Sequence, residues 1–423
     1  MSSHSENPAP LKPRFFYGWY MVAVSWLMLF LVSAVSVGIF FKPILEDDRF
    51  SWDRATLSSV YMYALLLYAL VTPFLGQLID RYGPRLMFSV SSAMLALSSL
   101  LNGLASSAWQ IFFGRFLYEI KPYQSSQVLI NRWFVGFRGW AQGIAAVGMP
   151  LGSLLLSPLS QYLIILWGWR STMLFWAAVT FIVSLPLIFV IRNKPEDKGL
   201  NPDGSPAVLP KVEPASEETV TAGSAGHTMA QAARSGSFWL LSATQLICGI
   251  GCGFMMTHIV IFATDFNYSE MIGASLLSVQ GGLNILGLLL TGRFSDKYAR
   301  HKVLGATHFI RALAFFIAVI FILLDGSALW MLYLSMALFG FGWFTTSPLT
   351  SGLVADLFGG LRMGTIIGIT MSCHTVGMAL GAYAGGVTFQ MTGSYYSFFL
   401  AQGILEMLAA GFAMAIRRQK TPC

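Results

Sequence analysis

Arg115, Glu119 and Lys121 stand close together in a stretch that is otherwise apolar enough to lie in a membrane. An ionisable side chain in the hydrocarbon core costs about 2.5–3.5 kcal/mol on insertion scales, so such groups are candidates for function. Arg115 and Glu119 are four residues apart and share a helix face, where they pair. Lys121 lies about 200° further round an ideal helix than Glu119, so it is expected to point elsewhere. Tyr118 and Tyr123 flank the charges, and Pro122 loosens the backbone between them. An anion needs one cation that an internal pair does not consume, and Lys121 or a released Arg115 supplies it. Glu119 is the candidate proton carrier, because protonating it would free Arg115 for a carboxylate. The structural alternative is that Arg115 snorkels to the membrane surface while Glu119 and Lys121 anchor a neighbouring helix.

Other ionisable groups are scattered along the apolar runs. His258 is a candidate for substrate binding and proton transfer, since a neutral imidazole donates to a carboxylate and titrates near physiological pH. It reads equally as a core histidine, as does His374. Glu406 reads as neutral and hydrogen-bonded or as an oligomer contact, with proton coupling the lesser alternative, and His308 and Arg311 read as packing or as part of the lower interface. Gln280 and Asn284 are one turn apart on one face and join the substrate-binding candidates. Phe339, Phe341, Trp343 and Phe344 read as packing or as an apolar wall for a carbon skeleton. Cys248 and Cys252, a turn apart in an apolar run, read as packing. No phosphate-cradling Gly-x-x-x-x-Gly-Lys loop, no metal-spaced His/Cys/carboxylate cluster and no nucleophile with a partnered base occurs. An enzyme is not expected, nor a cofactor or bound metal.

The elements that must position these groups follow from composition. The 423 residues are 55% hydrophobic and only 11% charged, against about 25% charged in soluble domains. Apolar runs long enough to cross a hydrocarbon core of about 30 Å recur throughout. Twelve spans fit, at roughly 16–40, 55–79, 86–107, 109–132, 139–163, 170–192, 237–264, 270–293, 302–324, 328–356, 362–388 and 394–417. Residues 193–236, rich in Pro, Glu, Ser, Ala and Gly, form an expected flexible linker between a 16–192 bundle and a 237–417 bundle. Residues 1–15 and 418–423 are expected tails. With the N-terminus in the cytoplasm, the cytoplasmic loops hold Lys12, Arg14, Arg81, Arg85, Arg132, Arg138, Arg192, Lys194, Lys198, Lys211, Arg234, Arg293, Lys297, Arg300, Lys302, Arg362, Arg417, Arg418 and Lys420. The opposite side holds Lys42, Arg49, Arg54 and Arg170, offset by Glu46, Asp47, Asp48 and Asp53. That asymmetry is the positive-inside bias. The net charge of +7 therefore reports topology and not nucleic acid. Expected partners are the lipid bilayer, a small organic anion and protons. No oligomeric state is assigned.

The chain repeats itself. Gly76-Gln-Leu-Ile-Asp80-Arg81-Tyr-Gly83-Pro84-Arg85 joins the second and third spans, and Gly292-Arg-Phe-Ser-Asp296-Lys297-Tyr-Ala-Arg300 joins the eighth and ninth. A charged loop recurring at the same place in each half indicates duplication. Arg138-Gly139 with Gly143, Gly148 and Gly152 opens the fifth span, and Arg362-Met-Gly364 with Gly368, Gly377 and Gly381 opens the eleventh. Small residues at this spacing let helices approach closely.

Duplicated six-helix halves with Gly-x-x-x-Asp-Arg-x-Gly-x-Arg after the second span resemble the major facilitator superfamily. The resemblance covers essentially the whole chain. It implies an all-α membrane protein of twelve helices in two pseudo-symmetric bundles, with the first, fourth, seventh and tenth lining a central cavity. It also implies a cytoplasmic latch, here Asp80, Arg81, Arg85, Asp296, Lys297 and Arg300. Asp80 would be neutralised by Arg81, by Arg85 or by a partner helix terminus. A closer similarity, to bacterial monocarboxylate transporters and oxalate–formate exchangers, rests on Tyr17-Gly18-Trp19, Phe40-Phe41-Lys42-Pro43, Asn131-Arg132-Trp133-Phe134, Gly168-Trp169-Arg170, His258 with Asp265, and Ala355-Asp356-Leu-Phe358-Gly359. It places His258 in the outer part of the cavity. One departure stands out: those carriers have an arginine in the eighth span after the glycine matching Gly287, and here Leu288 follows. The lysine of the oxalate exchangers in the eleventh span is also missing. A monocarboxylate or partly neutral solute is therefore expected over a dicarboxylate. The expected protein is a proton-coupled secondary carrier of a small organic anion in the inner (plasma) membrane, both termini cytoplasmic. An exchanger, an exporter of amphipathic compounds and a non-transporting receptor of the same fold are the alternatives.

Overall fold

The computed structural model describes residues 16–35, 37–45, 47–50, 54–204, 228–359 and 362–416. The expected tails, residues 205–227 of the expected linker, and Glu46 and Asp53 lie outside the described residues, as do the side chains of Lys42 and Arg54.

Among the described residues all regular structure is helical. The first span is α1 (Gly18–Val32), a 3-10 turn at Ser33–Val35 and α2 (Val37–Leu45); α3 (Arg54–Tyr82) and α4 (Pro84–Gly103) are the second and third. The fourth is broken into α5 (Ala108–Glu119) and α6 (Tyr123–Trp133), and α7 (Arg138–Val190) supplies the fifth and sixth. Short α8 (Met229–Ala233) leads into α9 (Gly236–Asp265), α10 (Glu270–Lys297) and α11 (Arg300–Leu323). The tenth span is broken like the fourth, into α12 (Leu329–Gly342) and α13 (Thr346–Phe358), before α14 (Met363–Thr392) and α15 (Tyr396–Ala415).

A straight helix of the 53 residues of α7 would run about 80 Å, far more than the bilayer. It instead turns back at Gly168, whose φ of 76° and ψ of 162° are non-helical. The same logic shapes the loop after the second span. Gly83 has φ 85°, a value that costs a side chain but not glycine, and Pro84 starts α4 with its φ already set.

Two apolar cores are separate. One gathers Met28, Phe88, Leu129, Trp133, Ala145 and Trp176 of the first six spans, and the other Phe254, Phe262, Phe315, Phe339 and Phe399 of the last six. These are the two six-helix bundles. A third cluster mixes them at one end, joining Ile79, Met87 and Val128 to Phe238, Leu353, Ile366 and Ile367. The bundles meet along α3 against α14 and α7 against α10, where small residues sit back to back. A Cβ on Gly76 would stand 2.2 Å from the Gly364 carbonyl oxygen, and one on Gly143 2.6 Å from that of Leu288. Leu288, at the position where the similar carriers place arginine, is 1% exposed and packs on Ala146 and Val147. It belongs to the contact between bundles.

The expected flexible linker is in part ordered. Pro195–Lys198 and Pro202–Gly204 form 3-10 turns. Asn193 Oδ1 accepts from the Arg85 backbone N–H at 2.9 Å, and Asp203 Oδ2 from that of Gly136 at 2.8 Å. Composition alone misses this docking, because it depends on a few side-chain acceptors on backbone amides and on single apolar residues such as the buried Pro195 and Leu200, which packs on the first core.

Candidate functional site

Where the latch is expected, two aspartates at the ends of matching helices bond across the bundles. Asp80, near the end of α3, accepts the backbone N–H of Gly364 at 2.7 Å and of Thr365 at 2.8 Å, and the Thr365 hydroxyl at 2.6 Å. Asp296, near the end of α10, accepts the N–H of Gly139 at 2.6 Å and of Trp140 at 2.8 Å. Each carboxylate thus caps the N-terminus of a helix from the other bundle, where unpaired amides and the helix dipole favour an anion. Asp356 joins the same network, accepting from Arg138 at 2.5 Å and pairing with Arg300, which also approaches Asp296.

Of the residues expected at this latch, Asp296 and Arg300 are brought together, while Asp80 makes the matching contact on α14. Arg81 and Lys297 lie instead over the neighbouring Tyr82 and Tyr298 rings. Arg85 donates from Nε to the Ile188 carbonyl near the end of α7 at 3.3 Å, while its backbone N–H reaches Asn193 at the start of the linker. Asp80 is neutralised by the partner helix terminus, not by Arg81 or Arg85. Arg138 and Asp356 were legible only as fragments of a family pattern.

Inward from the latch, α6 presents a polar stripe to the other bundle. Gln124 donates to the Gly364 carbonyl at 2.9 Å, Gln127 to the Ser347 hydroxyl at 2.9 Å and Asn131 to the Ser351 carbonyl at 3.0 Å. All three are buried. Only Asn131 of the three stands in a sequence motif, Asn131-Arg132-Trp133-Phe134, although their spacing of three and then four is that of one helix face.

The fourth-span charges sit at the break between α5 and α6, near the middle of the span. Pro122 lacks an N–H and disfavours helical geometry in the residue before it, and Ile120 and Pro122 have ψ of 28° and 26°. The break corrects the expectation for Lys121. Where an ideal helix points it away, the turn brings Lys121 Nζ to 3.1 Å from Glu119 Oε2, while Arg115 pairs with Oε1. Two cations therefore share one carboxylate, leaving one net positive charge. The Tyr118 ring lies beneath both, 4.4 Å from the Arg115 guanidinium and 5.1 Å from Nζ, and its hydroxyl donates to the Val32 carbonyl at 3.2 Å. Arg115 also borders a small cavity with Tyr61, Ser98, Ser99 and Asn102, all of the N-terminal bundle. It faces inward in its own bundle and does not snorkel. Lys121, with 19% of its side chain exposed against 12% for Arg115, is the more accessible cation.

The other expected site residues are not gathered here. Asn284 donates to the Gly340 carbonyl at 3.0 Å across the α10–α12 contact. Gln280, 1% exposed, abuts Gly340 through its backbone, and its amide atoms have no partner among the described residues. His258 lies between α9, α14 and α15, with Nε2 2.9 Å from the Ala382 carbonyl and Nδ1 3.2 Å from the Tyr395 hydroxyl. Both its nitrogens are engaged, and the residue is half-buried.

This architecture has relatives. A profile of the Major Facilitator Superfamily matches residues 15–382. The chain belongs to that superfamily. It is a multi-pass membrane transporter and not an enzyme. An uncharacterized MFS-type transporter of Bacillus subtilis (strain 168), YcxA, is 26% identical over 89% of this chain and 90% of its own. Monocarboxylate transporter 13 of Bos taurus is 22% identical over 95% of this chain and 89% of its own. The crystal structure of the human organic anion transporter MFSD10 matches with a TM-score of 0.71 over 94% of this chain and 99% of that chain, at 15% identity. That last likeness is one of fold.

Within this facilitator the C-terminal bundle holds a second charge cluster. Arg311 and Glu406 pair at 2.8 Å and His308 Nδ1 lies 2.7 Å from Glu406 Oε2; all three side chains are fully buried. Of the readings open for Glu406, its hydrogen bonds to His308, Arg311 and Gln402 match the hydrogen-bonded one, because α15 turns that face onto α11 and α9.

Proposed function

We propose that this facilitator carries a small organic monoanion across the membrane by alternating access, with Lys121 as its substrate cation. The observation that carries this is the charge count at the fourth-span break: two cations, one carboxylate, one net positive charge at mid-depth. A carboxylate arriving beside Lys121 replaces part of the hold of Glu119, while Arg115 keeps Glu119 paired. α6 and α13 both start at mid-depth and run toward the latch, so their positive dipole ends face the same level as Lys121, as discontinuous helices do in other carriers. A single net charge suits a monoanion better than a dianion. The similarity to proteins named monocarboxylate transporters points the same way.

The state described is then the one closed at the Asp80/Asp296 end. That end is the cytoplasmic one, as is the side of both termini, because Arg81, Arg85, Arg293, Lys297 and Lys302 cluster there. The membrane is the plasma membrane. Transport is coupled to a proton carried by Glu119: once the anion sits beside Lys121, protonating Glu119 loosens what remains of its hold on that cation.

The test is uptake by purified protein in liposomes with a pH-sensitive dye inside. Lactate, pyruvate, acetate, formate, oxalate and aromatic acids are added singly, against protein-free vesicles. Protein-dependent acidification with monocarboxylates, lost in Lys121→Gln, supports the proposal. No response to any acid from folded protein refutes it, and a response to oxalate alone refutes the monoanion.

A further inference from the structure

The Arg311–Glu406–His308 cluster takes no part in the proposed anion site, yet it places three fully buried ionisable side chains near the middle of α11 and α15. Burying an ion pair costs more than packing apolar groups of the same shape, so such a cluster is weak evidence for stability alone. Its donors reach well beyond the pair. Arg311 gives Nε to Glu406 at 2.9 Å and Nη2 to the Cys248 carbonyl of α9 at 3.0 Å. Its Nη1 lies 3.5 Å from the carbonyl of Gly342, the last residue of α12 at the break in the tenth span. The guanidinium also covers the Phe339 ring at 4.8 Å. One side chain thus ties the seventh and tenth spans to Glu406.

His308 is unlike His258. Glu406 beside Arg311 is an acceptor only, so the 2.7 Å contact requires the proton on Nδ1. Nε2 then carries a lone pair, and it is buried with no partner among the described residues. A buried unpaired acceptor calls for an explanation. The other titratable groups facing the cluster are Cys248 and Cys252 of α9, the latter with Sγ 3.6 Å from Arg311 Nη1. His374 of α14 lies behind them against the Gln245 carbonyl. The neighbouring residues of α12, α13 and α15 in contact, Gly342, Thr346 and Gln402, carry no charge.

We propose that His308 Nε2 is a proton-binding site that controls the tenth-span break through Glu406 and Arg311. A proton on Nε2 makes the imidazole a cation. Its contact with Glu406, until then charged on the acceptor side alone, becomes an ion pair and draws the carboxylate from Arg311. Arg311 then leans on the Gly342 and Cys248 carbonyls, which shifts the hinge between α12 and α13 and so the closure of α13 against α6. The consequence rests on the two-state carrier reading above, but the test needs no transported solute.

Arg81→Cys and Lys297→Cys, exposed on opposite bundles beside the latch, are spin-labelled in the full-length protein in nanodiscs, with Cys373 and Cys423 replaced by Ser and Glu119 by Gln so that the fourth-span carboxylate cannot titrate. Their distance distribution is followed from pH 8 to pH 5. One coupled proton changes the ratio of the two states by at most about tenfold per pH unit. The expected result is a pH-dependent redistribution that disappears in His308→Asn, whose amide keeps a donor toward Glu406 but has no titratable lone pair. It must persist when His308 is the sole histidine, with His4, His227, His258, His301 and His374 replaced by Asn. That second protein decides the matter if His308→Asn does not fold. A pH-independent wild type, a shift retained in His308→Asn, or a shift lost in the sole-histidine protein overturns the proposal.

Discussion

Replacing Asp80 with Asn tests the latch most directly. In the closed state Asp80 accepts two backbone N–H groups and one hydroxyl from the start of α14. The asparagine is nearly the same size but offers one acceptor oxygen and no charge. It loses at least one charge-assisted hydrogen bond, about 1.5–3 kcal/mol, and the interaction of the anion with the α14 dipole, about 0.3–1 kcal/mol. The closed state should weaken by about 2–4 kcal/mol, which moves its ratio to the open state by about 30- to 1000-fold. Ser351 reports the change: it is fully buried on α13 behind the latch, with its carbonyl bonded to Asn131. Ser351→Cys is made in a background without Cys373 and Cys423, and its alkylation by a membrane-impermeant maleimide is timed. The rate should rise by that factor in Asp80→Asn and comparably in Asp296→Asn. Equal rates with and without Asp80→Asn would refute the reasoning, because they would mean that the capped helix ends do not hold the bundles together.

Further predictions follow from the same contacts. Gly76→Ala places a methyl 2.2 Å from the Gly364 carbonyl oxygen; overpacking of about 1–3 kcal/mol should speed alkylation of Ser351→Cys without lowering the yield of folded protein on a sizing column. Glu119→Gln removes the only carboxylate shared by Arg115 and Lys121, so anion affinity should rise while acid-driven uptake in the liposome assay falls; retained pH-driven uptake rejects Glu119 as the proton carrier. Asp47, at the end opposite the latch, is opposed by burial, but the Arg49 amide and Arg170 outweigh that and hold its carboxyl below the usual carboxylate range. Its contribution to stability is therefore complete above about pH 4 and is lost as pH falls through the lowered folded-state value. Melting curves of wild type and Asp47→Asn should differ at pH 6 and converge in acid; a constant difference contradicts the pairing.

Much of this molecule is legible without coordinates. Low charge and repeated apolar runs require a polytopic helical protein, since every backbone polar group in a bilayer must be satisfied within its own helix. The Asp80 and Asp296 loops, placed alike, require two equivalent halves. These conclusions need only composition and order along the chain. Direction in space is another matter. Lys121 was sent away from Glu119 by the 100° step of a continuous helix, and the Pro122 break returned it, because a single interrupted turn cancels that step. Arg81 and Lys297 carry the charge of the motif, but the latch uses amides of Gly139 and Gly364, which sequence does not mark as charged at all. His308 and Arg311 stand nearly a hundred residues from Glu406, and only the packing of α11, α15 and α9 makes them one buried cluster. Which polar groups a membrane helix must hold is written in its sequence. Which of them meet is decided by where helices break and which faces close on each other, since that alone sets the distances over which charges act.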